Sequence, residues 1–455
     1  MAREGGNSMA AVNMTEGSIP RQLVSYAVPL IVGNLFQLMY NAADSVIAGR
    51  LIGKQALAAT GMASPVMNLL ILGISGICMG AGVLMSEYFG AGEKEKLRRE
   101  VATTLLFGLF FSIAVALTGI MCAVPLLRLM QVPDELLGMT TLYLRIIFLG
   151  APFTYFYSAL AAALKSVGDA RTPLRFLMLS SVFNIVLDLI FIGLLGFGII
   201  CSAVTTVVAE AVSAVLSIGY IYRRVPMLQL RRCEWCIDRP MLRRTLRYGL
   251  VTALQQACQP VGKLLIQGTV NTLGVDVIAA FNAVTRIDDF AFTPEQSIAH
   301  GITTFVAQNR GAGQHRRVRE GLRAGLRLEA AYWVIICAVV LLLRYPVMGL
   351  FVRGEDVQAI VTLGAQYLGT MAFFYLLPAF TNGIQGFVRG AGQLHITLLC
   401  TFIQTALRVI CTALLAPQWG ILGISVACAV GWSAMLLFEV PYCVRLIRRQ
   451  VQSTT

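Results

Sequence analysis

Residues 23–47 read LVSYAVPLIVGNLFQLMYNAADSVI, an apolar run long enough to cross the hydrocarbon core of a bilayer as one helix. Within it Gln37, Tyr40, Asn41 and Asp44 stand at i, i+3, i+4 and i+7, so they share one helical face. A carboxylate at lipid depth costs about 3 kcal/mol on insertion scales unless it faces protein or water. Asp44 is therefore expected to face inward and to have partners. Asn184 and Asp188, one turn apart in a later apolar run, are the matching candidates.

The rest of the chain agrees with a membrane reading. It has 455 residues, 57% hydrophobic and 13% charged, where a soluble domain carries roughly 25% charge. The net charge of +13 comes from arginines and lysines confined to short loops between apolar runs, which is how orientation in a bilayer is set; this argues against a nucleic-acid partner. No basic-then-apolar leader opens the sequence, so the first span is expected to do the targeting. Most of the 11 cysteines are single residues in apolar runs and behave as small hydrophobes. Cys233 and Cys236 have motif spacing but no second pair, and read as two reduced loop thiols.

Apolar runs fall near 23–47, 56–85, 100–124, 137–163, 173–194 and 197–222, then near 245–270, 277–307, 326–350, 358–387, 394–416 and 419–444. Basic clusters follow the even-numbered runs, as at Lys94–Arg99, Arg223–Arg247 and Arg310–Arg319. By the positive-inside rule both termini are cytoplasmic, which requires an even number of spans. The chain also repeats. Gly90-Ala91-Gly92 recurs as Gly311-Ala312-Gly313, Lys165–Asp169 recurs loosely as Arg389–Gln393, and Gly198-Ile199-Ile200 recurs as Gly420-Ile421-Leu422. The expected fold is all-α and integral to the membrane: twelve transmembrane helices in two pseudo-symmetric six-helix bundles around a central cavity. The bundles are expected at 1–222 and 244–455, with a cytoplasmic linker at 223–243. No strand precedes the Gly-x-Gly turns, so they read as helix ends and not as phosphate loops.

In the fifth run Ser181, Asn184 and Asp188 share a face; in the sixth, Ser202, Thr206, Glu210, Ser213 and Ser217 do. Carboxylates brought together at low dielectric cannot all ionise cheaply, so one of Asp44, Asp188 and Glu210 is expected to take a proton readily. The same oxygens suit a hard monovalent cation. Either ion makes this a coupling site. The bland alternative, polar groups bridging helices for about 1 kcal/mol each, fits Asn184 or Thr206 alone better than it fits two acids.

The second half carries Gln255, Gln259, Lys263 and Gln267 in its first span, Asp288, Asp289, Glu295 and His300 around Pro294 in the next, and Gln404 with Arg408 in the eleventh. Gln255, Gln259, Asp289, Glu295 and His300 are expected to line a substrate path. Lys263 and Arg408 either join them or snorkel to the surface, and Asp288 either joins them or pairs with Arg286 or Lys263.

Asn41-Ala-Ala-Asp44-Ser-Val-Ile-Ala-Gly49, Asn184-Ile-Val-Leu-Asp188, the paired Gly-Ala-Gly turns and Ala307-Gln308-Asn309-Arg310-Gly311-Ala312-Gly313 resemble the multidrug and toxic compound extrusion (MATE) family, over about residues 19–447. The resemblance is to the branch typified by DNA-damage-inducible protein F. It implies ion-coupling residues at Asp44, Asn184, Asp188 and Thr206, with Gln37 and Tyr40 as polar neighbours; Asn41 and Glu210 join them as supporting polar residues on the helical spacing above. Another branch places further acids in the seventh and tenth spans. Neither span here contains one, so coupling is expected in the N-terminal half. The implied protein is no enzyme and needs no cofactor or resident metal, Na+ being a coupling ion only. It is a monomeric antiporter of the cell membrane that exports cationic amphipathic compounds in exchange for H+ or Na+ by alternating access. Two rivals stand beside it. A flippase for lipid-linked glycans would want a cationic cavity, against which the buried acids argue. A membrane-embedded prenyl or lipid transferase would want an Asp-Asp-x-x-Asp spacing, but Asp288-Asp289 has no third acid in place, and His300, His315 and His395 form no metal motif.

Overall fold

A computed structural model describes residues 13–47, 53–231, 234–351 and 357–452 of the chain. Thirteen α-helices form among the described residues. The N-terminal half contributes α1 (Ile19–Ile47), α2 (Lys54–Gly90), α3 (Lys94–Leu129), α4 (Asp134–Ser166), α5 (Arg171–Asp188) and α6 (Ile199–Arg224). A π-helical turn, Leu189–Leu194, continues α5. The other half contributes α7 (Arg239–Val270), α8 (Val275–Gly311), α9 (His315–Phe351), α10 (Val357–Phe374), α11 (Leu376–Gly390), α12 (Leu394–Trp419) and α13 (Ile421–Gln452). Each of the twelve apolar runs read from the sequence is helical. Ten of these helices are long and apolar enough to cross a membrane by composition alone; α7 and α8 are long but carry the polar residues noted above, and α11 is short.

The tenth run is one stretch in the sequence and two helices in the fold. Its break lies at Tyr375, between α10 and α11. Pro378 explains it: a proline has no N–H for the carbonyl four residues back, here Phe374, and its ring crowds that carbonyl. The Tyr375 N–H still reaches Met371 O at 2.9 Å and the Ala379 N–H reaches Tyr375 O at 3.1 Å, so the break leaves little backbone unsatisfied.

The internal repeat is carried by helix ends. At the end of α2 the Gly92 N–H returns to Phe89 O and the Glu93 N–H to Tyr88 O, both at 3.0 Å. Gly313 and Gln314 make the same pair of bonds to Arg310 and Asn309 after α8. This is the Schellman closure, and it needs a left-handed residue; Gly92 has φ 73° and Gly313 has φ 69°. Helices α2 and α8, which these turns close, are both 37 residues long.

The chain divides into two compact units. One holds Val32–Ala253, the other Met14–Ile31 with Leu254–Thr455. The division departs from the boundaries expected at 222 and 244, because α1 and α7 each give residues to both units. What assigns the start of α1 is hydrogen bonding. The Met14 N–H donates to Gln308 Oε1 at 3.0 Å, and Asn309 Nδ2 donates to Met14 O at 3.1 Å. Arg317 of α9 donates to Gly17 O at 2.9 Å and Met14 O at 3.1 Å. The change of unit falls two residues after Pro29.

In the first unit α4 is the central helix, packed on α2, α3 and α6, while α5 pairs with α6. Residues 248–253 of α7 meet α2 at Gly76 and Gly80, a Gly-x-x-x-Gly pair that lets two backbones approach closely. In the expected linker, Arg98 donates to Met227 O at 3.3 Å and Pro226 O at 3.2 Å and pairs with Glu234 at 3.5 Å, which docks the segment on α3. In the second unit α8 packs on α9, α10 and α11, and α12 pairs with α13. There Gly386 and Gly390 of α11 repeat the close approach, against the backbone of Ala299 and Thr303 in α8.

Candidate functional site

Asp188 ends α5 and Asn184 lies one turn before it, each 1% exposed. The fold brings α6 to them through a short turn: the π-helical residues run to Leu194, Gly196 takes φ 70°, and α6 starts at Ile199. Such a turn widens the helix and leaves i to i+5 bonding, here from the Leu195 N–H to Ile190 O at 3.1 Å, and it recurs at functional sites. No sequence signal had marked it.

Two hydroxyls face this pair. Tyr40 of α1 donates to Asn184 Oδ1 at 2.6 Å. Thr205 of α6 reaches Asp188 Oδ1 at 2.5 Å, with Ser202 O at 2.9 Å and Cys201 O at 3.0 Å as alternative acceptors. One hydroxyl proton serves only one of these at a time. With Asp188 ionised, Thr205 donates to it. With Asp188 protonated, the acid can donate to Thr205, whose own proton turns to a backbone carbonyl. The site therefore offers a hydrogen-bonded arrangement for both charge states of the carboxylate.

The structure thus joins Tyr40, Asn184 and Asp188. It does not join Thr206 to them: that hydroxyl donates to Ser202 O at 2.8 Å, and its neighbour Thr205 holds the acid instead. Adjacent residues differ by about 100° around a helix, so only the rotation of α6 against α5 separates the two. Thr205→Ala is expected to slow transport several-fold and Thr206→Ala to leave it near wild type, measured as initial rates in reconstituted vesicles. Equal rates for the two variants would reverse the assignment. Asp44 lies in α1, but its side chain falls outside the described residues. Gln37 and Asn41 sit on the exposed side of α1. Glu210 is half-buried and accepts from Thr154 of α4, a partner that nothing in the local sequence announced.

The residues expected to line a path in the second half separate into two sets. Gln255 is buried, and its amide is taken up by Gln385 at 2.9 Å, Thr401 at 3.3 Å and Thr397 at 3.1 Å. Glu295 is 0% exposed. Both are enclosed within their own unit. Gln259 lies on an exposed face and donates to Gln404 at 3.3 Å, and His300 is half-buried. Asp289 pairs with Lys263 at 2.6 Å, so the charge on Lys263 is balanced locally. Asp288 does not pair with Arg286 or Lys263. It accepts from Tyr375 at 2.6 Å and Tyr367 at 3.0 Å, with Arg408 close by among Cys428 and Tyr367. Glu329, buried in α9, was missed altogether. It follows a run of arginines and reads as surface charge, although it stands inside the apolar stretch 326–350.

The described residues contain no group of three or more His, Cys, Asp or Glu that could hold a metal ion. Cys236 is free and exposed; Cys233 lies outside the described residues.

The fold matches solved membrane transporters along nearly its whole length. An outward-facing multidrug resistance MATE family transporter of the MOP superfamily superposes with a TM-score of 0.91 at 22% identity, covering 97% of this chain and 99% of that one. By sequence the chain is 27% identical over 449 residues to the probable multidrug resistance protein YpnP of Bacillus subtilis, covering 94% of this chain and 99% of the relative. It is 25% identical over 341 residues to an FAD transporter of Shewanella oneidensis, covering 73% of this chain and 74% of that protein. The family model described as MatE matches residues 29–190 and 252–414, once in each half and over most of the chain. The chain belongs to the MATE family of multi-pass membrane transporters and is not an enzyme.

Proposed function

We propose that this transporter exports cationic, amphipathic organic compounds across the cell membrane in exchange for H+ or Na+, by alternating access. It acts as a monomer with both termini cytoplasmic, and its coupling site resembles that of the DNA-damage-inducible protein F branch. The observation that carries the reading is a fully buried acid, Asp188, bonded to Thr205 and one turn from Asn184, which is tied to the first span by Tyr40. An acid enclosed in this way is costly, and a neutral residue would bridge the same helices at less expense. Asp44, on the same first span, supplies the second carboxylate of the coupling set, with Asn184 as its neutral member.

Coupling follows from competition for negative charge. Ionised Asp188 favours a state that holds a cationic cargo; binding of the coupling ion neutralises it and favours release. The sequences of α7, α10 and α11 contain no acid, which supports coupling in the first unit.

The test is flux in proteoliposomes with a pH gradient and a Na+ gradient imposed separately. One gradient should drive a fluorescent organic cation and the other should not; if neither does, the antiport reading fails. The FAD transporter among the relatives makes an anionic dinucleotide the second cargo to offer. Gradient-driven movement of the flavin nucleotide without movement of the cation would replace the cationic cargo by an anionic one.

A further inference from the structure

Glu295 of α8 and Glu329 of α9 are both 0% exposed and belong to the second unit, whereas Asp188 belongs to the first. Helix α11 closes over them with two adjacent residues. Asn382 donates to Glu295 Oε2 at 3.4 Å, and Gly383 leaves room for Glu329, whose Cγ would lie 3.5 Å from a Cβ at that position. The other Glu295 oxygen and both oxygens of Glu329 have no hydrogen-bond partner among the described residues. No lysine, arginine or histidine forms an ion pair with either acid there.

The surroundings offer no compensation for two negative charges. The titratable groups that face the pair are each other, Asp288 farther along α8, Tyr332 of α9 and Tyr375 at the α10–α11 break, whose hydroxyl is given to Asp288. Tyr332 spends its proton on Ala291 O at 2.8 Å and so donates to neither acid. Each unpaired buried carboxylate costs several kcal/mol, and two facing one another add repulsion. A proton removes one charge and supplies the donor that the bare oxygens lack. A structural bridge between helices would be made more cheaply by Gln.

We propose that Glu295 and Glu329 form a second proton-binding site, lodged within the α8–α9–α11 cluster, which takes up and releases a proton during transport. The step is simple proton transfer: an O–H bond forms on one carboxylate with a proton from water, and the same bond breaks when the proton returns to water. That the proton cycles with cargo rests on the antiport reading above; that the pair binds it does not.

Infrared difference spectra of the full-length protein in phosphatidylcholine vesicles, taken as pH is stepped, test the binding directly. The wild type should show the carbonyl stretch of a protonated carboxylic acid that disappears on raising pH. Glu329→Gln and Glu295→Gln should each remove or displace that band, and Asp188→Asn should leave it in place. Both Gln variants are near-isosteric, and unchanged thermal unfolding shows that they fold. A spectrum indifferent to both Gln substitutions overturns the proposal. In proton-driven flux, Glu329→Gln should roughly halve the protons moved per cargo. An unchanged ratio would mean that the proton is fixed, and the proposal fails there too. Absence of gradient-driven flux in the wild type would sink the antiport reading instead, with the infrared band still reporting the site.

Discussion

Asp188→Asn is expected to abolish ion-driven export, lowering the initial rate roughly 100-fold, the upper range of a coupling energy between two ligands. The amide keeps the shape of the carboxylate and can still accept from Thr205, so the α5–α6 pairing should survive. What it cannot do is change charge. The neutral variant stays in the condition that ion binding creates, so the cargo-holding state loses its electrostatic preference and the ion loses its differential affinity. Two further readouts follow. Binding of a cationic dye to the wild type should weaken as pH falls, because the site loses negative charge; in the variant it should be weak and indifferent to pH. Thermal unfolding should be unchanged or slightly improved, since an enclosed charge has been removed. Asp44→Asn tests the other acid of the set on sequence grounds. An Asp188→Asn protein that pumps at the normal rate would remove the basis for coupling in the first unit.

Gly80→Ala is expected to have the largest effect on folding. A Cβ at position 80 would stand 2.5 Å from the Gly249 backbone nitrogen and 2.6 Å from the Tyr248 carbonyl carbon, both in α7. Backbone atoms cannot rotate away as a side chain does, so α2 and α7 must separate, and the fit along the whole crossing is lost. Overpacking of this kind costs about 1–3 kcal/mol, and more where backbone is the obstacle. Alanine is the best helix former, so any loss reports the clash and not helix propensity. The control is Gly61→Ala in the same helix, where nothing lies within 4 Å of the added carbon. Detergent-solubilised Gly80→Ala should unfold several degrees below wild type and show reduced monodisperse yield, while Gly61→Ala matches wild type or exceeds it. Equal stability of the two variants would show that the crossing is not close-packed.

Helical spacing alone marked Tyr40, Asn184 and Asp188; it also set Gln37 and Asn41 beside Tyr40, and these two are exposed. It could not mark partners. Thr205 and Thr206 are neighbours with the same side chain, and Thr154, which bonds Glu210, is 56 residues from it in sequence. Glu295 invited a substrate role because an acid near a proline in a membrane helix looks functional. Its enclosure by α9 and α11 is a property of three helices together. Glu329 was hidden by its company: after five arginines within twelve residues, an acid reads as one more surface charge.

Which stretches are helical, and in what order, was legible in the sequence alone; the ends moved by several residues, as where α9 starts at His315 and not near 326. In lipid every backbone group must be satisfied inside its own helix, so apolar length and glycine-closed ends are local properties. Tertiary structure alone decided the division of α1 and α7 between two units, and which hydroxyl faces Asp188. Each depends on how one helix is rotated and seated against another, and helical periodicity carries no information about that choice.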